Sequence, residues 1–208
     1  MTRILLVDDH TIFRSGLRRL ISDKPEYCVA AEASNSAEAL SLVRDQDFDV
    51  VILDINLNGR SGLEVLESIR RTKPNLRVLV MSMYPEAQFG AEAVRLGANG
   101  YLSKDTTPDA LFDALRSAAQ GRRPARAALA SVEEDSESRP PHYSLSAREL
   151  QILQLIVSGK SLTEIGRLIF ISVKTASTYR SRILSKLNLT SNAQLIDYAI
   201  RNGVGTVQ

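Results

Sequence analysis

Val50-Val51-Ile52-Leu53-Asp54 is a run of four aliphatic residues stopped by an acid. With no polar alternation in it, the run reads as a strand buried on both faces, as strands of a parallel sheet are between two layers of helix. The same pattern recurs on either side. Ile4-Leu5-Leu6-Val7 leads into Asp8-Asp9, and Val78-Leu79-Val80-Met81 leads into Ser82. Residues 27–31 and Gly100-Tyr101-Leu102 are further strand candidates, the second closely followed by Lys104. Residues 11–21, 36–44, 63–71, 87–96 and 108–119 carry apolar residues at helical spacing. Thr107-Pro108 is a strong start for the last of these, with Thr as N-cap and Pro at the first helical position. Strand and helix alternating five times predict an α/β doubly wound five-stranded parallel sheet over residues 1–122.

In an open parallel sheet, ligands bind beyond the carboxyl ends of the strands. Asp8 and Asp9 end the first strand, Asp54 the third and Ser82 the fourth, and Lys104 follows the fifth. These side chains are expected to converge. Clustered carboxylates repel unless a cation joins them. A hard divalent ion with oxygen ligands fits, and Mg²⁺ suits a site that also holds phosphate. Mg²⁺ and Lys104 together balance three carboxylates. His10, beside the acids, reads as a solvent-facing helix start. Cys28 reads as a small core residue.

Residues 123–142 change character. An Ala/Arg-rich stretch gives way to an acidic one over residues 131–138 and then to Arg139-Pro140-Pro141. This is linker composition. From Tyr143 to the end at residue 208 every segment is helical in spacing. Ser146-Ala-Arg-Glu149 and Ser161-Leu-Thr-Glu164 are capping boxes, Gly159 is a stop, and Ser172 and Ser191 are N-cap candidates. Four short helices are expected, the last ending near Gly203, in a small all-α module. Within it, Ser161 to Leu187 reads as a helix, a tight turn and a longer helix. Ile165, Leu168, Ile171, Ile183 and Leu187 are spaced to pack the pair together. Lys174, Thr175, Ser177, Thr178, Ser181 and Arg182 are then the candidates for an outer face that enters a DNA major groove.

Charge supports that division. The chain's net charge of +2 hides a −2 over residues 1–122, a −1 over 123–142 and a +5 over 143–208. A compact basic unit implies a polyanion partner. Hydrophobic residues at 44% and charged residues at 24% are a globular composition. No apolar run approaches the ~20 residues that span a bilayer, and nothing at the start reads as a signal peptide, so no membrane association is expected. A single cysteine excludes an intrachain disulfide and suits a cytoplasmic setting. One cysteine and two histidines also exclude the usual Cys/His zinc site.

Ile-Leu-Leu-Val-Asp8-Asp9-His10, Ile-Leu-Asp54-Ile-Asn56-Leu, Met-Ser82-Met and Tyr101-Leu-Ser-Lys104, each at a strand end and in this order, resemble the signature of CheY-like receiver domains. The stretch from Leu145 to Leu187 resembles the LuxR-type helix-turn-helix. Together the chain resembles the NarL/FixJ class of two-component response regulators over nearly its full length. The resemblance implies that Asp54 accepts a phosphoryl group from a sensor histidine kinase. It implies that Mg²⁺ is held by Asp9, Asp54 and the Asn56 backbone carbonyl with help from Asp8, and that Lys104 neutralises phosphoryl charge. Ser82 would then bond the phosphoryl group and Tyr101 rotate inward as the switch. The output it implies is double-stranded DNA binding, with a homodimer in the phosphorylated or DNA-bound state, rather than an enzymatic product.

The sequence departs from that pattern in three places. Asn58 stands where many receivers have Pro, and Asp105 follows Lys104 where many have a cis Pro. Thr175-Ala176-Ser177-Thr178-Tyr179 differs from the commoner Thr-Val-Lys-x-His, so base contacts do not carry over. Three rival readings remain at this point: a receiver used only as a dimerisation platform, a Mg²⁺-dependent phosphatase, and an RNA-binding output.

Overall fold

The computed structural model describes residues 1–57, 60–122 and 140–204, which form two compact units. Asn58, Gly59, most of the linker (123–139) and residues 205–208 lie outside the described residues.

The first unit alternates β1 (Thr2–Val7), α1 (Thr11–Ser22), β2 (Tyr27–Ala33), α2 (Ser36–Asp45), β3 (Val50–Leu53), α3 (Gly62–Thr72), β4 (Arg77–Ser82), α4 (Glu86–Arg95), β5 (Gly100–Ser103) and α5 (Pro108–Ala119). The sheet runs β2-β1-β3-β4-β5 and every pairing is parallel. β3 is central, and its four residues are at most 3% exposed. On one face Ile4, Leu6, Val50, Ile52, Leu79 and Met81 pack with Leu17 and Ile21 of α1 and Leu111, Phe112 and Leu115 of α5. The alternate residues Leu5, Val51, Leu53, Val78 and Val80 are equally buried, so the second face is covered too. Each such aliphatic side chain contributes about 1.5–3 kcal/mol on burial. Thr107 caps α5 through a bond from the Ala110 amide, with Pro108 at the start of the helix. Cys28 does not enter the core: β2 is the edge strand, and the thiol is half-buried there. No cis peptide bond occurs among the described residues. The bond from Lys104 to Asp105 is therefore trans. Asp105 keeps the amide hydrogen that Pro lacks and donates it to Ser103 Oγ (3.2 Å).

The second unit opens with a 3₁₀ turn (Pro141–Ser144) and continues through α6 (Ala147–Val157), α7 (Leu162–Leu168), α8 (Val173–Lys186) and α9 (Asn192–Arg201). Ser146 with Glu149 and Ser161 with Glu164 form complete capping boxes, and Ser172 and Ser191 cap α8 and α9. The unit begins earlier than linker composition suggests. His142 is buried, its amide donates to Tyr198 Oη of α9 (3.2 Å), and its ring lies 3.1 Å from the same hydroxyl. Ile165, Ile183 and Leu187 pack the helix pair as their spacing implies. Leu168 does not: it is 42% exposed, Ile171 is half-buried, and Ile169 takes the core position at 2%. The cause is the turn. Ile171 N bonds the Gly166 carbonyl (2.9 Å), and a Cβ on Gly166 would lie 2.7 Å from Ile171 O. The chain doubles back so tightly after α7 that its last turn faces outward at Leu168. Arg148, buried at 8%, donates to the Ile169 carbonyl (2.8 Å) and so ties α6 to this turn.

Candidate functional site

Strand ends deliver the reactive groups. The Asp8 amide bonds the Ala33 carbonyl (3.1 Å) and the Asp54 amide the Val7 carbonyl (2.9 Å), which fixes the two acids beyond β1 and β3. Lys104 is anchored through its amide to the Ser82 carbonyl (2.8 Å). Asp8, Asp54 and Ser82 are 5%, 2% and 0% exposed. Lys104 Nζ, also buried, lies 2.7 Å from Asp54 Oδ2 and 2.8 Å from Asp8 Oδ2. The other Asp54 oxygen accepts the Asn56 amide (3.1 Å). The convergence expected of Asp8, Asp9, Asp54 and Lys104 is thus present.

The electrostatics follow from burial. The Asp54 carboxyl is pushed up to about 7: desolvation raises it most, Lys104 pulls against that, and Asp8 adds to the rise. Burial also raises Asp9, against the lowering effect of His10. Burial alone would lower the Lys104 ammonium, but Asp54 and Asp8 more than offset it and hold it above its ordinary value. Lys104 answers one of three clustered carboxylates, which leaves room for a divalent cation. Carboxylate oxygens of Asp8, Asp9 and Asp54 and a ring nitrogen of His10 all lie within 4.8 Å of one another. Asp9 Oδ1 is buried and, although His10 Nδ1 lies 2.9 Å away, accepts no hydrogen bond of good geometry. An orphaned buried carboxylate oxygen among hard oxygen donors fits a Mg²⁺ site.

Ser82 Oγ accepts the Tyr84 amide (3.3 Å). Tyr101 is already turned inward, 7% exposed, with its hydroxyl donating to the Tyr84 carbonyl (2.8 Å). Burial raises its phenol, while a bond with Ser82 pulls the other way. Its inward position satisfies a polar tip that burial would otherwise orphan.

Two residues near the pocket, Gly62 and Arg14, carry no sequence signal for their roles, and a third, His10, does more than its exposed helix-start position implies. A Cβ on Gly62 would lie 1.9 Å from the Asp54 carbonyl oxygen, so α3 begins against the backbone of Asp54 itself. Arg14 donates to the Asp8 carbonyl and pairs with Glu32 of β2 (3.0 Å). His10 is 43% exposed, yet its Nδ1 turns back into the acids. The signal for His10 was its adjacency to two strand-end carboxylates.

In the second unit, Lys174, Thr175, Thr178, Ser181 and Arg182 of α8 are exposed and Ser177 is half-buried. Lys174 and Arg182 form no ion pair with a described residue. Arg180, by contrast, is drawn aside to Asn192 of α9. Thr178 and Ser181 return their hydroxyl hydrogens to the Lys174 and Ser177 carbonyls (3.0 and 3.1 Å), and Thr175 accompanies the Ser172 cap. A cationic, hydroxyl-lined outer face results. No described helix is long and apolar enough to cross a membrane.

Both units match families. Residues 4–116 match the response regulator receiver domain, and residues 143–199 match the bacterial regulatory proteins of the luxR family. The chain belongs to the NarL/FixJ family of response regulators. It is 35% identical to the response regulator UvrY of Escherichia coli (strain K12), over 98% of this chain and 96% of that one. It is 34% identical to the transcriptional regulatory protein LiaR of Bacillus subtilis (strain 168), over 97% and 98%. A solved two-component response regulator of the LuxR family from Aurantimonas sp. SI85-9A1 is 36% identical, with a TM-score of 0.60 over 67% of this chain and 99% of that one. This response regulator therefore carries a receiver and a LuxR-type DNA-binding domain and is homologous to transcriptional regulators of two-component systems.

Proposed function

We propose that this response regulator is a transcription factor gated by phosphorylation of Asp54. The observation that carries the reading is the buried Lys104 ammonium held between Asp54 and Asp8 in a pocket with an orphaned carboxylate oxygen. An Asp54 carboxylate oxygen attacks the phosphorus of a phosphohistidine on a sensor histidine kinase, or of a small acyl phosphate. An O–P bond forms, the N–P or acyl O–P bond breaks, and the leaving group departs with the electron pair. Mg²⁺, bound by Asp9, Asp54 and the Asn56 carbonyl with Asp8 nearby, would supply positive charge to the phosphoryl oxygens. Lys104 moves from its carboxylate partners to one of those oxygens, which is most of what phosphoryl transfer needs from a protein. Ser82 Oγ offers the phosphoryl group a hydrogen bond, and Tyr101, bonded beside it, reports that bond to β5.

On this reading the signal leaves through α8. Lys174 and Arg182 meet phosphate or guanine, Thr175, Ser177, Thr178 and Ser181 line the groove, and a homodimer reads double-stranded DNA in the cytoplasm. The match to the luxR family favours DNA over an RNA output, and also over a phosphatase, for which the helical unit would be idle.

The test is phosphorylation by acetyl phosphate, read as a mobility shift on a phosphate-retarding gel, beside a genome-wide map of occupied DNA. The wild type should shift with Mg²⁺, fail to shift in EDTA, and occupy discrete sites. Asp54→Asn should neither shift nor hold those sites. A shifted Asp54→Asn protein removes Asp54 as acceptor; identical occupancy in both leaves a DNA-binding protein without this switch.

A further inference from the structure

We propose that His10 is a nitrogen ligand in the metal pocket, and that it makes this receiver prefer Mn²⁺ and similar borderline ions over Mg²⁺. The inference rests on the reading of the acidic pocket as a divalent-metal site and adds a fourth side chain to it. His10 stands at the N-cap of α1 with an extended backbone, φ −83° and ψ 98°. Two bonds fix that backbone. The His10 amide donates to Asp8 Oδ1 (2.8 Å), and the His10 carbonyl accepts the Arg14 amide (2.9 Å). Arg14 in turn holds the Asp8 carbonyl. The ring is therefore carried on a pinned turn. Its Nδ1 is 2.9 Å from Asp9 Oδ1, 3.3 Å from Asp8 Oδ1 and 3.9 Å from Asp54 Oδ2. One nitrogen thus reaches all three carboxylates, while the side chain as a whole is 43% exposed.

Lys104 Nζ lies 3.4 Å from the same nitrogen. With the ring proton on Nε2, Nδ1 turns its lone pair to this cationic centre. A divalent ion among the carboxylates meets the same lone pair. Mg²⁺ gains little from a nitrogen donor, because it favours oxygen ligands and retains its waters. Mn²⁺ and the later divalent ions accept imidazole more readily. A pocket of three carboxylates alone separates these ions weakly; adding one imidazole separates them by donor type. A salt bridge from a protonated ring would instead repel any divalent ion and lower the affinity for both.

The experiment uses the full chain and titrates Mn²⁺, read as loss of the free-ion paramagnetic signal, with Mg²⁺ as competitor. Electron spin-echo spectra of the bound Mn²⁺ report directly attached ¹⁴N. The wild type should bind Mn²⁺ about tenfold or more tightly than Mg²⁺ and show imidazole ¹⁴N modulation. His10→Ala should lose that modulation and about tenfold in Mn²⁺ affinity, with Mg²⁺ affinity held within about twofold. His10→Gln, which keeps a polar side chain but offers an oxygen donor, should behave as the alanine variant does in both readouts. Equal losses for the two ions, or bound Mn²⁺ without imidazole ¹⁴N in the wild type, would overturn the role of His10 while leaving the metal site intact. If neither ion binds the wild type, the metal reading itself fails, and this one with it.

Discussion

The acidic pocket and the outer face of α8 are both rows of polar side chains, but the fold treats them in opposite ways. In the pocket, Asp8, Asp54 and Lys104 are buried and paired with one another across three strand ends, and buried Ser82 bonds the Tyr101 side chain of the next strand. On α8, Lys174, Thr178, Ser181 and Arg182 are exposed, and the bonds they make are local to the helix. Buried charges have one arrangement that compensates them, so the protein itself dictates the chemistry. Exposed cations take their arrangement from the partner. The pocket therefore carries its mechanism within the chain, whereas the face of α8 is completed by its ligand.

The largest effect is expected where the pocket is disturbed without touching a reacting group. Gly62→Ala places a methyl against the Asp54 carbonyl oxygen, where 1.9 Å separates the positions. That neighbour is backbone and cannot swing aside. The variant should lose about 2–3 kcal/mol of stability in a urea melt, as overpacking does, and its phosphorylation rate should fall as Asp54 is displaced. An unchanged rate would mean that the strand end tolerates movement, and that the pocket is less rigid than its burial implies.

The pattern of strand and helix was legible because the runs around Val50 and Val78 lack polar interruption, which only two-sided burial explains. The convergence of Asp8, Asp54 and Lys104 followed from the rule that strand ends share one edge of a parallel sheet. What escaped reading depended on distances no pattern encodes. Cys28 was misplaced because apolar spacing does not say which strand lies at the edge. Leu168 was misplaced because the tightness of the turn after Gly166 rotates the end of α7 outward. His10 is the exposed helix start that its position implies, but that position fixes only the backbone and leaves the ring to its neighbours. Arg148 and Gly62 act through backbone carbonyls, which the sequence names nowhere.

A second test exploits the high affinity of Asp54 for its proton. Without metal, its value near 7 lies above the ordinary 3.8, because burial disfavours the carboxylate. The folded chain then holds a proton that the unfolded chain has released across roughly pH 4 to 7. This group's contribution to stability is full below that window and is lost as pH rises through it. Metal binding demands the opposite state, the ionised carboxylate. Below about pH 7, Mg²⁺ uptake should therefore release a proton, and affinity should fall by up to about tenfold per pH unit. Calorimetric titrations between about pH 5.5 and 7.5 would show it, and Asp54→Asn should flatten the dependence. A wild-type affinity independent of pH would place the ion away from Asp54.

The smallest effect is expected on α8, and it is the one that separates the two regions most cleanly. Lys174→Ala with Arg182→Ala removes two exposed cations, each free of ion pairs with described residues, so stability should change by less than about 0.5 kcal/mol. DNA affinity should fall, and the slope of log affinity against log salt should shrink by roughly one for each phosphate that is no longer neutralised. A weakening uniform across DNA sequences would assign both residues to the phosphate backbone. A weakening confined to one sequence, with the slope intact, would make them readers of bases. Unchanged binding would move the DNA-binding surface away from this face of α8. Phosphorylation of Asp54 should be unaffected in every case, because the groups that react there all belong to the first unit.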